Sequence, residues 1–128
     1  MKLEALEVVY ADTDFFLAIF KKEDWLKSRA EKQYKELKGK LETSIVTVLE
    51  LAILCRKKGL DPEEVMAAVF EISRVERITL EEALQAAYLM KNKGFTAFDS
   101  FHAVLSKERA IISSDAIFES IGKERVKL

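Results

Sequence analysis

Cysteine, proline and glycine are scarce in this sequence: its 128 residues hold one Cys, one Pro and four Gly. A lone Cys55 can form neither an internal disulfide nor a cysteine-rich zinc site, and core packing is its expected role. So few Gly and Pro, beside 49% hydrophobic and 34% charged residues, exclude a low-complexity or disordered chain. Long apolar runs are missing as well. Stretches such as residues 15–20 stop far short of the roughly 20 residues a membrane span needs. The N-terminal region carries Glu4, Glu7, Asp12 and Asp14 rather than the charged-then-apolar pattern of a secretory signal. The length suits one domain, residues 1–128. The expectation is a single-domain cytoplasmic protein without membrane association.

A surplus of one charge sign is absent too. Lys and Arg total 21 against 22 Asp and Glu, a net charge of −1, unlike proteins that coat nucleic acid nonspecifically. Basic clusters recur at Lys21-Lys22, Arg56-Lys57-Lys58, Lys91/Lys93, Lys107/Arg109 and Lys123/Arg125/Lys127. Most fall where a helix is predicted to end, complementing the negative end of its dipole. No Gly-rich phosphate loop or nucleophile elbow occurs, which argues against a nucleotide kinase or serine hydrolase.

What is present is an alternation of short β-prone runs and helical segments. Strands are predicted at 8–11, 41–44, 75–78, 110–112 and 125–127, from short apolar or β-branched runs. Helices are predicted at 15–20, 24–37, 46–56, 62–72, 80–91 and 97–108, with a helical turn at 116–120. Asp61-Pro62-Glu63-Glu64 is a strong helix start, and Thr79-x-x-Glu82 is a capping box. Trp25 and Tyr34 are expected on one face of the second helix, as core or as an interface. Strands alternating with helices imply an α/β fold, a three-layer α/β/α sandwich with a mainly parallel central sheet.

Four carboxylates stand in apolar company, where an uncompensated charge costs several kcal/mol. Asp12 follows the first strand and Asp115 the run Ala110-Ile111-Ile112-Ser113-Ser114. Glu50 and Asp99 lie in the first turns of helices. Each has a local explanation in helix capping, through Thr47-x-x-Glu50, Thr96-x-x-Asp99, or Asp12 and Asp115 as caps. Their positions also suit a common pocket, because strand C-termini and helix N-termini share one edge of a parallel sheet. Clustered carboxylates repel unless a cation neutralises them, and all-oxygen donors select Mg²⁺ or Mn²⁺ over zinc. His102, three residues after Asp99, reads as a satisfied, half-buried side chain able to touch such a pocket.

These residues resemble a known family. Tyr10-Ala11-Asp12-Thr13-Asp14-Phe15-Phe16-Leu17 is similar to the opening motif of PIN-domain nucleases. Thr47-x-x-Glu50-Leu51, Phe98-Asp99-Ser100-Phe101-His102-Ala103 and Ile111-Ile112-Ser113-Ser114-Asp115-x-x-Phe118 resemble the next three, in order. The whole chain looks most like the toxin of VapBC-type toxin–antitoxin pairs. The resemblance implies a Mg²⁺- or Mn²⁺-dependent endoribonuclease in which Asp12, Glu50, Asp99 and Asp115 serve as metal ligands and catalytic acids. Thr13 or Ser113 would add a hydroxyl beside the metal. An antitoxin would cover the acidic cleft, and the toxin would form a homodimer. Lys21, Lys22, Arg56 and Lys107 are candidates for holding the RNA strand. Asp14 stands where the family more often has Asn, with no assigned role. The alternatives are a PIN-fold nuclease of RNA processing or DNA flaps, and a catalytically silent binding or regulatory module.

Overall fold

The computed structural model describes residues 3–128. The sheet is built from β1 (Val9–Ala11), β2 (Leu41–Ser44), β3 (Arg74–Glu76), β4 (Ala110–Ser113) and β5 (Arg125–Lys127). Its order is β3-β2-β1-β4-β5, and every neighbouring pair runs parallel. The helices are α1 (Thr13–Phe20), α2 (Lys27–Leu37), α3 (Ile45–Lys58), α4 (Pro62–Ile72), α5 (Leu80–Lys93) and α6 (Ala97–Leu105), with 3-10 segments at Leu3–Ala5 and Ala116–Ile121. No helix of the described residues is long and apolar enough to cross a membrane.

Burial on both faces explains why the central strands read as continuous apolar runs. Val9, Ala11 and Ile112 point into one core, shared with Phe15, Phe16, Leu37, Leu51 and Val69 of α1 to α4. Tyr10 and Ile111 point the other way, into a second core with Phe95, Ala103, Leu105 and Phe118. This is the three-layer sandwich expected. Cys55 is buried in the first core.

Local signals set the ends. Asp61 caps α4 through Glu63 N, and both halves of the Thr79–Glu82 capping box form on α5. Gly59 and Gly94 close α3 and α5 with positive φ angles of 68° and 69°, a conformation that favours glycine.

Three expectations shift. The second helix begins at Lys27, because Asp24 turns the chain first and accepts Leu26 N at 2.8 Å. Trp25 therefore lies in the turn, 88% exposed, while Tyr34 packs on the first core; the two do not share a helix face. The third strand is shifted towards the N-terminus, to Arg74–Glu76, the residues that pair with Glu42 to Ser44. Helix α6 stops at Leu105, ahead of Lys107, whose φ is +52°.

Candidate metal centre

The chain runs outward from β1 through β2 to β3, then returns past β1 to β4 and β5. The strand order thus reverses between β1 and β4, and ligands of open α/β sheets bind beyond the strand C-termini at such a point. There lies an open cleft of about 410 Å³. Asp12, Asp14, Glu50, Asp99 and Asp115 line it, with Thr13 and Ser114 between them and Leu17 and Leu54 as apolar wall. The four acids singled out from the sequence come together, joined by Asp14.

Each acid is aimed by its element. Asp12 follows β1 and caps α1, with Oδ1 accepting from Thr13 N at 2.6 Å and Oδ2 from Ser113 Oγ at 2.8 Å. Asp115 follows β4 and caps the 3-10 segment through Ile117 N at 2.9 Å. Asp99 lies in the first turn of α6, where its own N–H donates to Thr96 Oγ1 at 3.2 Å. Capping and cleft formation therefore coexist at Asp12 and Asp115, while at Asp99 the cap is Thr96 and only that half of the expected capping box forms. At Glu50 the capping reading fails. Helix α3 starts at Ile45, so Thr47 is inside it, and its hydroxyl accepts from Thr43 Oγ1 instead. Glu50 accepts a hydrogen bond from Thr13 Oγ1.

His102 holds a more central place than a half-buried bystander. It is 1% exposed, with Nε2 3.0 Å from Glu50 Oε1 and 3.2 Å from Asp12 Oδ1. On its other side Nδ1 meets the Tyr10 hydroxyl at 2.8 Å. The sequence reading of His102 as a satisfied side chain able to touch the pocket holds, with fuller burial than expected, whereas Tyr10 carries no role in that reading. The available signal was strand alternation, which turns Tyr10 away from Val9 and Ala11 and towards α6.

The electrostatics are those of crowded, underpaired acids. Burial, above all, lifts Asp12 above the usual carboxylate range. Burial and then the charge of Asp12 push Asp14 up to about 6. Burial, followed by the neighbouring Asp115 and Glu50 charges, raises Asp99. Burial alone would lower His102, but Tyr10, Asp12 and Glu50 outweigh it and push its pKa up to about 10. The cations suggested for RNA do not line the cleft. Lys21 pairs with Asp24 at 3.1 Å, and Lys107 with Glu76 and Glu82 at 3.2 and 3.4 Å. Lys21 and Lys22 line a separate pocket.

The donor set fits a divalent cation. Carboxylate oxygens of Asp12 and Glu50 lie within 4.8 Å of each other and of His102, which meets both from beneath, while Asp99 and Asp115 line the same cleft outside that close group. Oδ1 of Asp14 is buried without a hydrogen-bond partner among the described residues. Carboxylate oxygens raised in pKa by burial and mutual repulsion are the ligands a hard cation satisfies.

An all-parallel five-stranded α/β sandwich with an acidic cleft at its switch point defines the class. The PIN domain family model matches residues 9–124, and the chain belongs to that family. Solved structures agree in fold. VapC20 of Mycobacterium tuberculosis, described as a toxin that cleaves the sarcin–ricin loop, is similar at TM-score 0.79 and 20% identity, over 94% of this chain and 99% of that one. FitAB bound to a DNA fragment gives TM-score 0.74 at 16% identity, over 94% of both chains. VapBC2 of Rickettsia felis, bound to a DNA fragment from its promoter, gives 0.68 at 12%, over 94% of this chain and 97% of that one. No curated protein matches the sequence.

Proposed function

We propose that this protein is a Mg²⁺- or Mn²⁺-dependent endoribonuclease of the cytoplasm and the toxin of a toxin–antitoxin pair. The observation that carries the reading is the cleft itself: five acids, delivered by β1, α1, α3, α6 and the segment after β4, facing one space with no basic lining residue. A fold alone needs no such crowding, which costs stability. Asp12, Glu50, Asp99 and Asp115 would hold the cation. When bound, such an ion lowers the pKa of a coordinated water and offsets charge on a phosphodiester. Asp12 is fixed by Thr13 N and Ser113 Oγ, so one rigid carboxylate anchors the site. Asp115, exposed at the rim, would orient the attacking water.

The partners follow from the same reading. VapC20 is described as a toxin acting on the sarcin–ricin loop, which supports RNA as the substrate. A Klebsiella pneumoniae neighbour is a toxin–antitoxin complex, which supports an antitoxin partner. Exposed Leu49 and Ile53 on α3, and Leu80, Leu84 and Tyr88 on α5, support a homodimer.

The deciding experiment incubates labelled RNAs with the protein and Mg²⁺ or Mn²⁺, with EDTA and an Asp99→Asn variant as controls. Cleavage abolished in both controls is expected. Cleavage that survives Asp99→Asn would remove the acids from the chemistry.

A further inference from the structure

We infer that Tyr10 and His102 are positioning residues for the acidic cleft: a buried hydrogen-bonded chain, Ser44–Tyr10–His102, holds Asp12 and Glu50 from beneath its floor. The inference rests on the proposed metal chemistry of those two acids.

Neither residue lines the cleft, and they are 0% and 1% exposed, so a direct role towards RNA is closed to them. Their polar atoms are nevertheless joined in one line. The Tyr10 hydroxyl lies 2.8 Å from Ser44 Oγ and 2.8 Å from His102 Nδ1. From there Nε2 reaches Glu50 Oε1 at 3.0 Å, Asp12 Oδ1 at 3.2 Å and Thr13 Oγ1 at 3.3 Å. A histidine kept only to satisfy a core hydroxyl would have no need to meet acids from two different elements. Here one ring nitrogen spans an acid at the end of β1 and an acid in α3.

The chain is anchored in the rigid part of the fold. Tyr10 sits in the central strand, paired with Glu42 on one side and Ile111 on the other. Its ring meets the His102 ring edge-on at 5.8 Å, and the Arg109 guanidinium covers it at 5.4 Å. Ser44 ends the adjacent strand β2. Outer partners that fix the orientation of metal-binding carboxylates commonly change metal affinity 10–100-fold when removed.

His102 is the only histidine in the chain, so ¹⁵N-histidine labelling reports it alone. Tyr10→Phe keeps the ring and removes only the hydroxyl. In metal-free protein this change is expected to shift the imidazole Nδ1 signal. By calorimetry it is expected to weaken Mn²⁺ binding about tenfold. It should also lower kcat on RNA while leaving KM unchanged. Ser44→Ala, which touches the far end of the chain, should move the same readouts by less, and stands in if Tyr10→Phe does not fold. Wild-type Mn²⁺ affinity and wild-type kcat in Tyr10→Phe would overturn the inference. If wild-type protein binds no divalent cation, the proposed function falls instead. The metal-free spectrum still decides the hydrogen-bonded chain, and an unshifted imidazole signal overturns it.

Discussion

Two groups of acids on this sheet meet opposite fates. In the cleft, Asp12, Asp14 and Asp99 are pushed above the carboxylate range, chiefly by burial. On β2 and β3, Glu42 and Glu76 are also largely shielded, with side chains 16% and 12% exposed. Burial works on Glu42 as well, yet Arg109 and Arg74 outweigh it and hold its carboxyl below the usual range. Arg109 bonds both Glu42, at 2.5 Å, and Glu76, and Lys107 joins Glu76 to Glu82. Burial is common to both groups, and partners separate them. Where each acid has a cation the group is structural; in the cleft His102 serves Asp12 and Glu50 alone, and five acids around one cation leave a shortfall of positive charge that marks the site.

The largest test breaks the paired side. Arg109→Met takes from Glu42 and Glu76 the more buried of the two arginines they share, leaving the exposed Arg74, and removes donors to Leu105 O and Ser106 O. Breaking a buried pair from one side costs about 3–5 kcal/mol, and because Arg74 and Lys107 still serve the two glutamates, denaturant unfolding should show a loss at the lower end, about 3 kcal/mol. Asp99→Asn, in the cleft, removes a charge that burial and the acids around it already penalise, so metal-free protein should lose no stability. Equal losses in the two variants would erase the distinction.

Much of this contrast was legible in advance, though unevenly. The five strands, six helices and parallel sheet follow from local signals: apolar runs buried on both faces, the Asp61-Pro62 start and the Thr79–Glu82 box. The gathering of Asp12, Glu50, Asp99 and Asp115 followed from their places after strands and in first helical turns, because topology carries both to one edge. What escaped depends on pairs distant in sequence. Tyr10 and His102 are 92 positions apart, and Arg109 and Glu42 are 67 apart. Nothing local tells a lysine at a helix end that it will pair with glutamates, as Lys107 does. Trp25 leaves the helix face because Asp24 can start either a helix or a turn, and here it starts the turn.

A second test supplies the missing charge. A divalent cation binding only the folded protein adds about 2.7 kcal/mol at one hundred times its dissociation constant. Thermal unfolding of wild-type protein should therefore rise with Mg²⁺ or Mn²⁺ and return with EDTA. Glu50→Gln should lose most of the rise, while a substitution in the paired group, Glu82→Gln, should keep it. A rise retained by Glu50→Gln would place the ion elsewhere.

The smallest effect sharpens the comparison to one oxygen. Asp14 accepts from Ser114 N at 2.8 Å and from the Ser114 hydroxyl through Oδ2, while Oδ1 is buried without a partner. An asparagine keeps an acceptor for Ser114 and places an N–H₂ donor at the orphaned position, beside Asp12. The folded carboxyl titrates at about 6 against an ordinary 3.8, so between those values the folded chain holds a proton that the unfolded chain has lost. Stability therefore falls as pH rises through that window, and above it the ionised Asp14 bears the full penalty. Asp14→Asn removes the ionisation. In EDTA at pH 7.5 it should stabilise the protein by about 1–2 kcal/mol, less than the full shift converts to because the site is coupled to Asp12. Most of that gain should vanish by pH 4, where Asp14 is protonated in the folded state. With Mg²⁺ present the advantage should narrow, since the charge that costs stability in the empty cleft is the charge a cation binds. Guanidinium unfolding at the two pH values, with and without Mg²⁺, measures all of this. An equal gain at both pH values would mean that packing, and not charge, separates Asp14 from its asparagine.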